Sequence, residues 1–176
     1  MIATTLPRQR SHQPTARDRA RCPFLIIGYG NELRGDGAVG VQVARTVAGW
    51  ELPTVRAIMV HQLLPELATE MAKADYVIFV DACGEDSCAR NVQLMPIAAE
   101  PDASATSAHS NSIQGLLSLT QKLYNHTPQS WLLQVPTESF DFDRQLSSTA
   151  IRGRDKAVQT IERFLINYQM PYSVAA

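Results

Sequence analysis

The chain has 176 residues, 45% apolar and 19% charged, which suits one soluble domain with a proper core. Its formal net charge of −1 gives no electrostatic reason to expect nucleic acid as a partner. No apolar run approaches the roughly 20 residues needed to cross a bilayer. The three cysteines, Cys22, Cys83 and Cys88, are too few and odd in number for a disulfide scaffold. They read as small core or loop thiols of a reducing compartment.

Residues 1–22, MIATTLPRQRSHQPTARDRARC, hold Arg8, Arg10, Arg17, Arg19 and Arg21 against the single acid Asp18. The segment has no apolar periodicity, so burial cannot offset its ordering entropy, and it reads as a flexible basic extension. It has no apolar core of a secretory signal; an organelle transit peptide is the lesser alternative. Residues 23–176 read as one domain. FLIIG at 24–28 is a continuous apolar run, as in a strand buried on both faces. AVGVQVARTVA at 38–48 spaces Val39, Val43 and Val47 along one helical face. TVRAIMV at 54–60 predicts a second strand. Pro65 then opens a helix with Leu67 and Met71 inward. YVIFVDA at 76–82 is the most strand-like run in the chain. NVQLMPI at 91–97 predicts a weaker strand, near an edge because of Pro96, with an antiparallel direction open to it. Residues 98–109 form a loop of small and polar types. A helix follows in SIQGLLSLTQKLYN, with Ile113, Leu116, Leu117, Thr120 and Leu123 as its inner stripe. SWLLQVP at 130–136 is the next strand, and TESFDFDRQLS reads as mobile. The last helix, 148–168, is expected to bury Ile151, Val158, Ile161, Phe164, Leu165 and Tyr168. This order predicts an α/β fold: a three-layer α/β/α sandwich around a mainly parallel sheet of about five strands.

Ligands in such folds bind beyond the carboxyl ends of the strands. That edge receives Gly30–Gly37 after the first strand, Asp81 at the end of the third, and the loop ending at His109. A dinucleotide fits poorly: Gly28-Tyr29-Gly30 starts a glycine fingerprint, but position 33 is Leu and His61 stands where a ribose-binding acid belongs. There is no G-x-S-x-G for a serine nucleophile. Cys83 or Cys22 beside His109 is a weak cysteine-nucleophile alternative, since Glu85 and Asp86 oppose a thiolate at Cys83. A carboxylate–imidazole metal site fits better: Asp81, His109 and an oxygen ligand from the 36–37 turn suit a borderline divalent ion. The bland alternatives are that Asp81 hydrogen-bonds a neighbouring turn and that His109 starts a helix.

GYGNELRGDGAVGVQVA at 28–44 resembles the G-x-G-N-x-L-x-x-D-[DE]-x-x-G opening of the hydrogenase maturation endopeptidases. The resemblance runs on in order through HQLLPELA, VIFVDA, the histidine before SIQGLL and VPTESF, covering residues 24–168. It implies a hydrolase, an aspartyl-type cytoplasmic protease with no serine or cysteine nucleophile. Such enzymes remove the C-terminal extension of a [NiFe]-hydrogenase large-subunit precursor after nickel insertion. HQLLPEL at 61–67 is similar to the branch serving the bidirectional, NAD-coupled Hox hydrogenases and makes His61, Gln62 and Leu63 specificity candidates; Asn31 and Gly35 join them as substrate-binding positions of the turn. The resemblance implies no permanently bound cofactor. The metal is the nickel of the substrate, for which zinc or cadmium stands in within crystals. The precursor is the expected partner, with no membrane or nucleic acid, and the chain is expected to be a monomer.

In the family, three positions contact the metal: the second acid of the D-[DE] pair, the aspartate ending the third strand, and the later histidine. Carried over, these are Gly37, Asp81 and His109, so the first carboxylate is missing. Three explanations compete. Asp36 serves in its place, as a catalytic carboxylate beside Asp81 and His109. A substitution at 37 has removed the acid, the favoured reading because the rest of the pattern is intact. Or the chain is weak or inactive by nature, which leaves a non-cleaving, chaperone-like binder of the precursor as the rival function.

Overall fold

The computed structural model describes residues 23–84, 91–99, 112–142 and 145–169. Among these residues five strands form one sheet: β1 (Phe24–Tyr29), β2 (Val55–Val60), β3 (Tyr76–Cys83), β4 (Gln93–Ile97) and β5 (Gln129–Pro136). Their order is β2-β1-β3-β5-β4. All neighbours are parallel except β4, which runs antiparallel on the β5 edge. Pro96, opposite Trp131, is tolerated there because β4, among the described residues, has a strand neighbour on one side only.

Among the described residues four α-helices cover the sheet: α1 (Val39–Ala48), α2 (Leu67–Met71), α3 (Ile113–Tyr124) and α4 (Ser148–Gln169). Alternation along the buried strands divides the core into two layers. Phe24 and Ile26 of β1, with Ile78 and Val80 of β3, pack against Val39, Val43 and Val47 of α1 and against α4. Leu25, Ile27, Val77 and Phe79 face the other way, onto Leu67 and Met71 of α2 and Ile113, Leu116 and Leu117 of α3. The expected three-layer sandwich is therefore the observed fold.

Two helices differ in phase from their sequence reading. Ile151 is 41% exposed, while Ala150 and Ala157 are buried in the α1 layer. The cause is close packing: a Cβ on Gly153 would lie 2.7 Å from Val135 Cγ1, so small residues, not the largest apolar ones, face β5. Tyr168 is also largely exposed, though its ring stacks on Phe164 with centroids 4.4 Å apart. On α3, Leu123 is exposed; the buried stripe ends at Thr120, whose hydroxyl donates to Leu116 O at 2.7 Å. Ser112 caps this helix by accepting from Gly115 N at 3.0 Å, as an N-cap serine should.

Cys83 differs from expectation as well. It is disulfide-bonded rather than a free thiol; an odd count argues against a framework of bridges but is compatible with a single one. Cys22 and Cys88 lie outside the described residues, as do the basic extension 1–22, most of the 98–109 loop and His109. No helix among the described residues is long and apolar enough to cross a membrane.

Candidate active site

The parallel strands end along one edge. From β1 the chain goes to β2 through α1 on one face, then crosses to β3 through α2 on the other. The crossovers diverge between β1 and β3, which is where ligands bind in open sheets of this kind. A cleft of about 400 Å³ opens there, lined by Tyr29, His61, Gln62, Leu63, Asp81, Ser112, Ile113, Gln114 and Leu132. Asp81, His61, Gln62 and Leu63 are thus brought together, and the first turn of α3 closes the same cleft.

Asp81 follows Val77 and Phe79 on the α2/α3 side of the sheet by strand alternation. Burial pushes its carboxyl pKa up; the Tyr29 hydroxyl and the Ala82 backbone N–H, both donating to it, pull part of the way back, and the net direction is upward. Tyr29 is raised too, by burial first and then by the neighbouring Asp81 charge and their hydrogen bond. The pair is a half-buried carboxylate held by two donors. An ionised carboxylate offers about four lone-pair sites, so oxygen capacity remains for a cation or for a proton of a substrate. His61 and Gln62 are exposed on the cleft rim, while Leu63 is 5% exposed and part of the α2/α3 core.

Asp36 has a different place. It lies in a 3-10 turn, Gly35–Ala38, between β1 and α1, and is 1% exposed. Its Oδ2 accepts from Glu138 N at 2.8 Å, Ser139 N at 3.1 Å and Ser147 Oγ at 2.7 Å, and its Oδ1 accepts from Ser147 N at 2.6 Å. Its own N–H donates to Ser139 O at 3.2 Å. Burial raises its pKa, but these hydrogen bonds together outweigh that and hold the carboxyl below the usual aspartate range. Asp36 does not line the cleft. It clamps the turn to the connection between β5 and α4, and Ser147 in turn accepts from Ala150 N at 3.1 Å at the start of α4.

The rest of the turn is built by its backbone. Asn31 Oδ1 accepts from Leu33 N at 2.9 Å, an Asx turn rather than a side chain aimed at the cleft. Gly35 has φ 40° and Gly30 has φ 141°. A Cβ on Gly30 would lie 2.0 Å from Gly37 O, so the turn folds back tightly onto the end of β1. Gly37 itself is not among the positive-φ residues. A Cβ there would meet Asn31 O at 3.2 Å, Arg34 Cβ at 3.5 Å and Phe140 Cδ1 at 3.7 Å. The position admits a side chain once Asn31 O yields by a few tenths of an ångström.

Among the described residues no group of three or more His, Cys, Asp or Glu is placed to hold a metal ion. Cys83, in a disulfide, has no thiolate to offer as a nucleophile. Sequence reasoning passed over Tyr29, Ser112 and Gln114 as cleft residues. Tyr29 becomes findable only once β1 and β3 are known to be neighbours: the residue after Gly28, which pairs with Val80, should stand beside Asp81.

No protein-family model matches the chain, and no curated protein matches it in sequence. Solved structures do match. The hydrogenase maturating endopeptidase HybD from E. coli superposes with a TM-score of 0.65 at 20% identity, over 82% of this chain and 93% of that one. The [NiFe] hydrogenase maturation protease HybD from Thermococcus kodakarensis gives 0.61 at 19% identity, over 80% and 97%. HycI from Thermococcus kodakarensis KOD1, also a [NiFe] hydrogenase maturation protease, gives 0.60 at 20% identity, over 86% and 95%. The chain shares the fold of these maturation proteases over nearly their full length.

Proposed function

We propose that the chain acts in the maturation of a [NiFe] hydrogenase, as the endopeptidase that removes the C-terminal extension of the nickel-loaded large-subunit precursor in the cytoplasm. The observation that carries this reading is Asp81, a half-buried carboxylate in the cleft between β1 and β3, within a fold shared with proteases of that activity. Asp81 recognises the substrate's nickel together with His109, which lies outside the described residues. A hard oxygen donor held by neighbouring hydrogen bonds suits that task. Exposed His61 and Gln62, beside Asp81 on the cleft rim, read the partner, and the HQLLPEL sequence around them favours a precursor of the Hox type. The remaining oxygens of Asp81 either orient the scissile region through the nickel or take a proton from the attacking water.

One observation favours a second reading, a non-cleaving binder of the same precursor. Position 37 carries no carboxylate, and both oxygens of Asp36 are engaged by the β5–α4 connection, which speaks against Asp36 in its place. The two readings part in a single experiment. The chain is incubated with nickel-loaded precursor, and the precursor's intact mass and its co-elution with the chain are followed. Loss of the extension mass supports the endopeptidase; stable co-elution at full mass supports the binder. Neither cleavage nor co-elution contradicts both.

A further inference from the structure

Resting on the nickel reading of Asp81, we propose that Tyr29 is a positioning residue for nickel recognition: its hydroxyl holds the Asp81 carboxylate in the orientation that faces the substrate's metal. The placement follows from the sheet. Gly28 pairs with Val80 in the parallel register, so the next residues, Tyr29 and Asp81, stand side by side at the strand ends. Tyr29 lies in phase with Leu25 and Ile27, as Asp81 does with Val77 and Phe79, so both project to the α2/α3 side, and both line the cleft. The Tyr29 ring packs against that core layer while its phenol and the Asp81 carboxylate meet in the cleft, close enough for each to shift the other's titration. A ring anchored in the core carries a donor with little freedom, whereas an aspartate free to rotate would present its oxygens in several directions. The Ala82 N–H supplies the second restraint.

Hydrogen bonds to a ligating carboxylate commonly change metal affinity or activity by about 10–100-fold when removed. Tyr29→Phe keeps the ring and deletes only the donor. The readout is a ratio: the affinity for nickel-loaded precursor over that for nickel-free precursor, measured by titration calorimetry. The unaltered chain should prefer the loaded form, and Tyr29→Phe should cut that preference about 10-fold or more, the loss of affinity falling mainly on the nickel-loaded form. In an Asp81→Asn background the same change should have no further effect, because Tyr29 acts through Asp81. A full preference retained in Tyr29→Phe overturns the proposal. So does an equal loss of affinity for both forms, or an undiminished effect in the Asp81→Asn background, since each marks Tyr29 as packing only. An unaltered chain with no preference for nickel overturns the nickel reading itself, and this inference with it.

Discussion

Replacing Asp36 by Ala should destabilise the protein far more than it alters the cleft. The side chain is almost fully buried and gathers three backbone N–H groups and one hydroxyl from residues 138, 139 and 147. A hydrogen bond to a charged group contributes about 1.5–3 kcal/mol, and an orphaned buried donor costs about 1–3 kcal/mol. These terms overlap, and the partly buried donors regain some water, so the net loss should be about 3–5 kcal/mol. For a domain of this size that lowers Tm by about 6–20 °C. Asp36→Asn should cost about 2 kcal/mol, because its amide N–H₂ must face a donor whichever way it is turned. The pH dependence has a definite sign. The folded carboxyl is held below its unfolded value, so the stabilisation is complete above an unfolded aspartate pKa of about 3.9. It fades as pH falls through the lower folded value. Urea unfolding of wild type and Asp36→Ala should therefore show the full gap at pH 6–7 and a narrowing one below about pH 4. A gap under about 1 kcal/mol at pH 7 would refute the clamp. Loss of function in Asp36→Asn at unchanged stability would return Asp36 to a chemical role.

At the specificity loop, Leu63→Ala should cost about 2–5 kcal/mol as a core truncation, measured by urea unfolding. His61→Ala and Gln62→Ala should leave stability within about 0.5 kcal/mol but change which precursor is bound. Gly153→Ala should destabilise by about 1–3 kcal/mol through overpacking against Val135, a loss that circular dichroism melts will register. Gly37→Asp should change the melting temperature by only a few degrees, since φ at 37 is not left-handed and the nearest atom to its Cβ, Asn31 O at 3.2 Å, needs to move by only a few tenths of an ångström; a collapse of the fold would mean that the turn cannot accept a side chain.

The sheet was readable because buried strands announce themselves as unbroken apolar runs: FLIIG and YVIFVDA needed no partner to be recognised. Pro96 placed β4 at an edge for a purely local reason, its missing donor. Helix phase was less legible. Hydrophobicity favours Ile151, yet close approach to β5 at Gly153 selects Ala150 and Ala157, a constraint set by residues elsewhere in the chain. The clamp made by Asp36 was illegible for a similar reason. Its partners lie more than 100 residues away in sequence, so nothing local distinguishes a backbone clamp from a working carboxylate. Asp81 was legible as a charge ending a buried strand, whereas its hydrogen bond with Tyr29 required the strand order.

The account stands most directly on whether Asp81 serves nickel-dependent cleavage and whether position 37 is where this chain lacks an acid. Nickel-loaded precursor is incubated with the unaltered chain, with Gly37→Asp, with Gly37→Ala, and with Gly37→Asp combined with Asp81→Asn, and its intact mass is followed with time. The account predicts that Gly37→Asp releases the extension at least about 10-fold faster than the unaltered chain or Gly37→Ala, as expected when a missing acid–base or ligand group is restored. It also predicts that Asp81→Asn removes the gain and that nickel-free precursor stays intact throughout. Equal rates for Gly37→Asp and Gly37→Ala, or undiminished cleavage with Asp81→Asn, would contradict it.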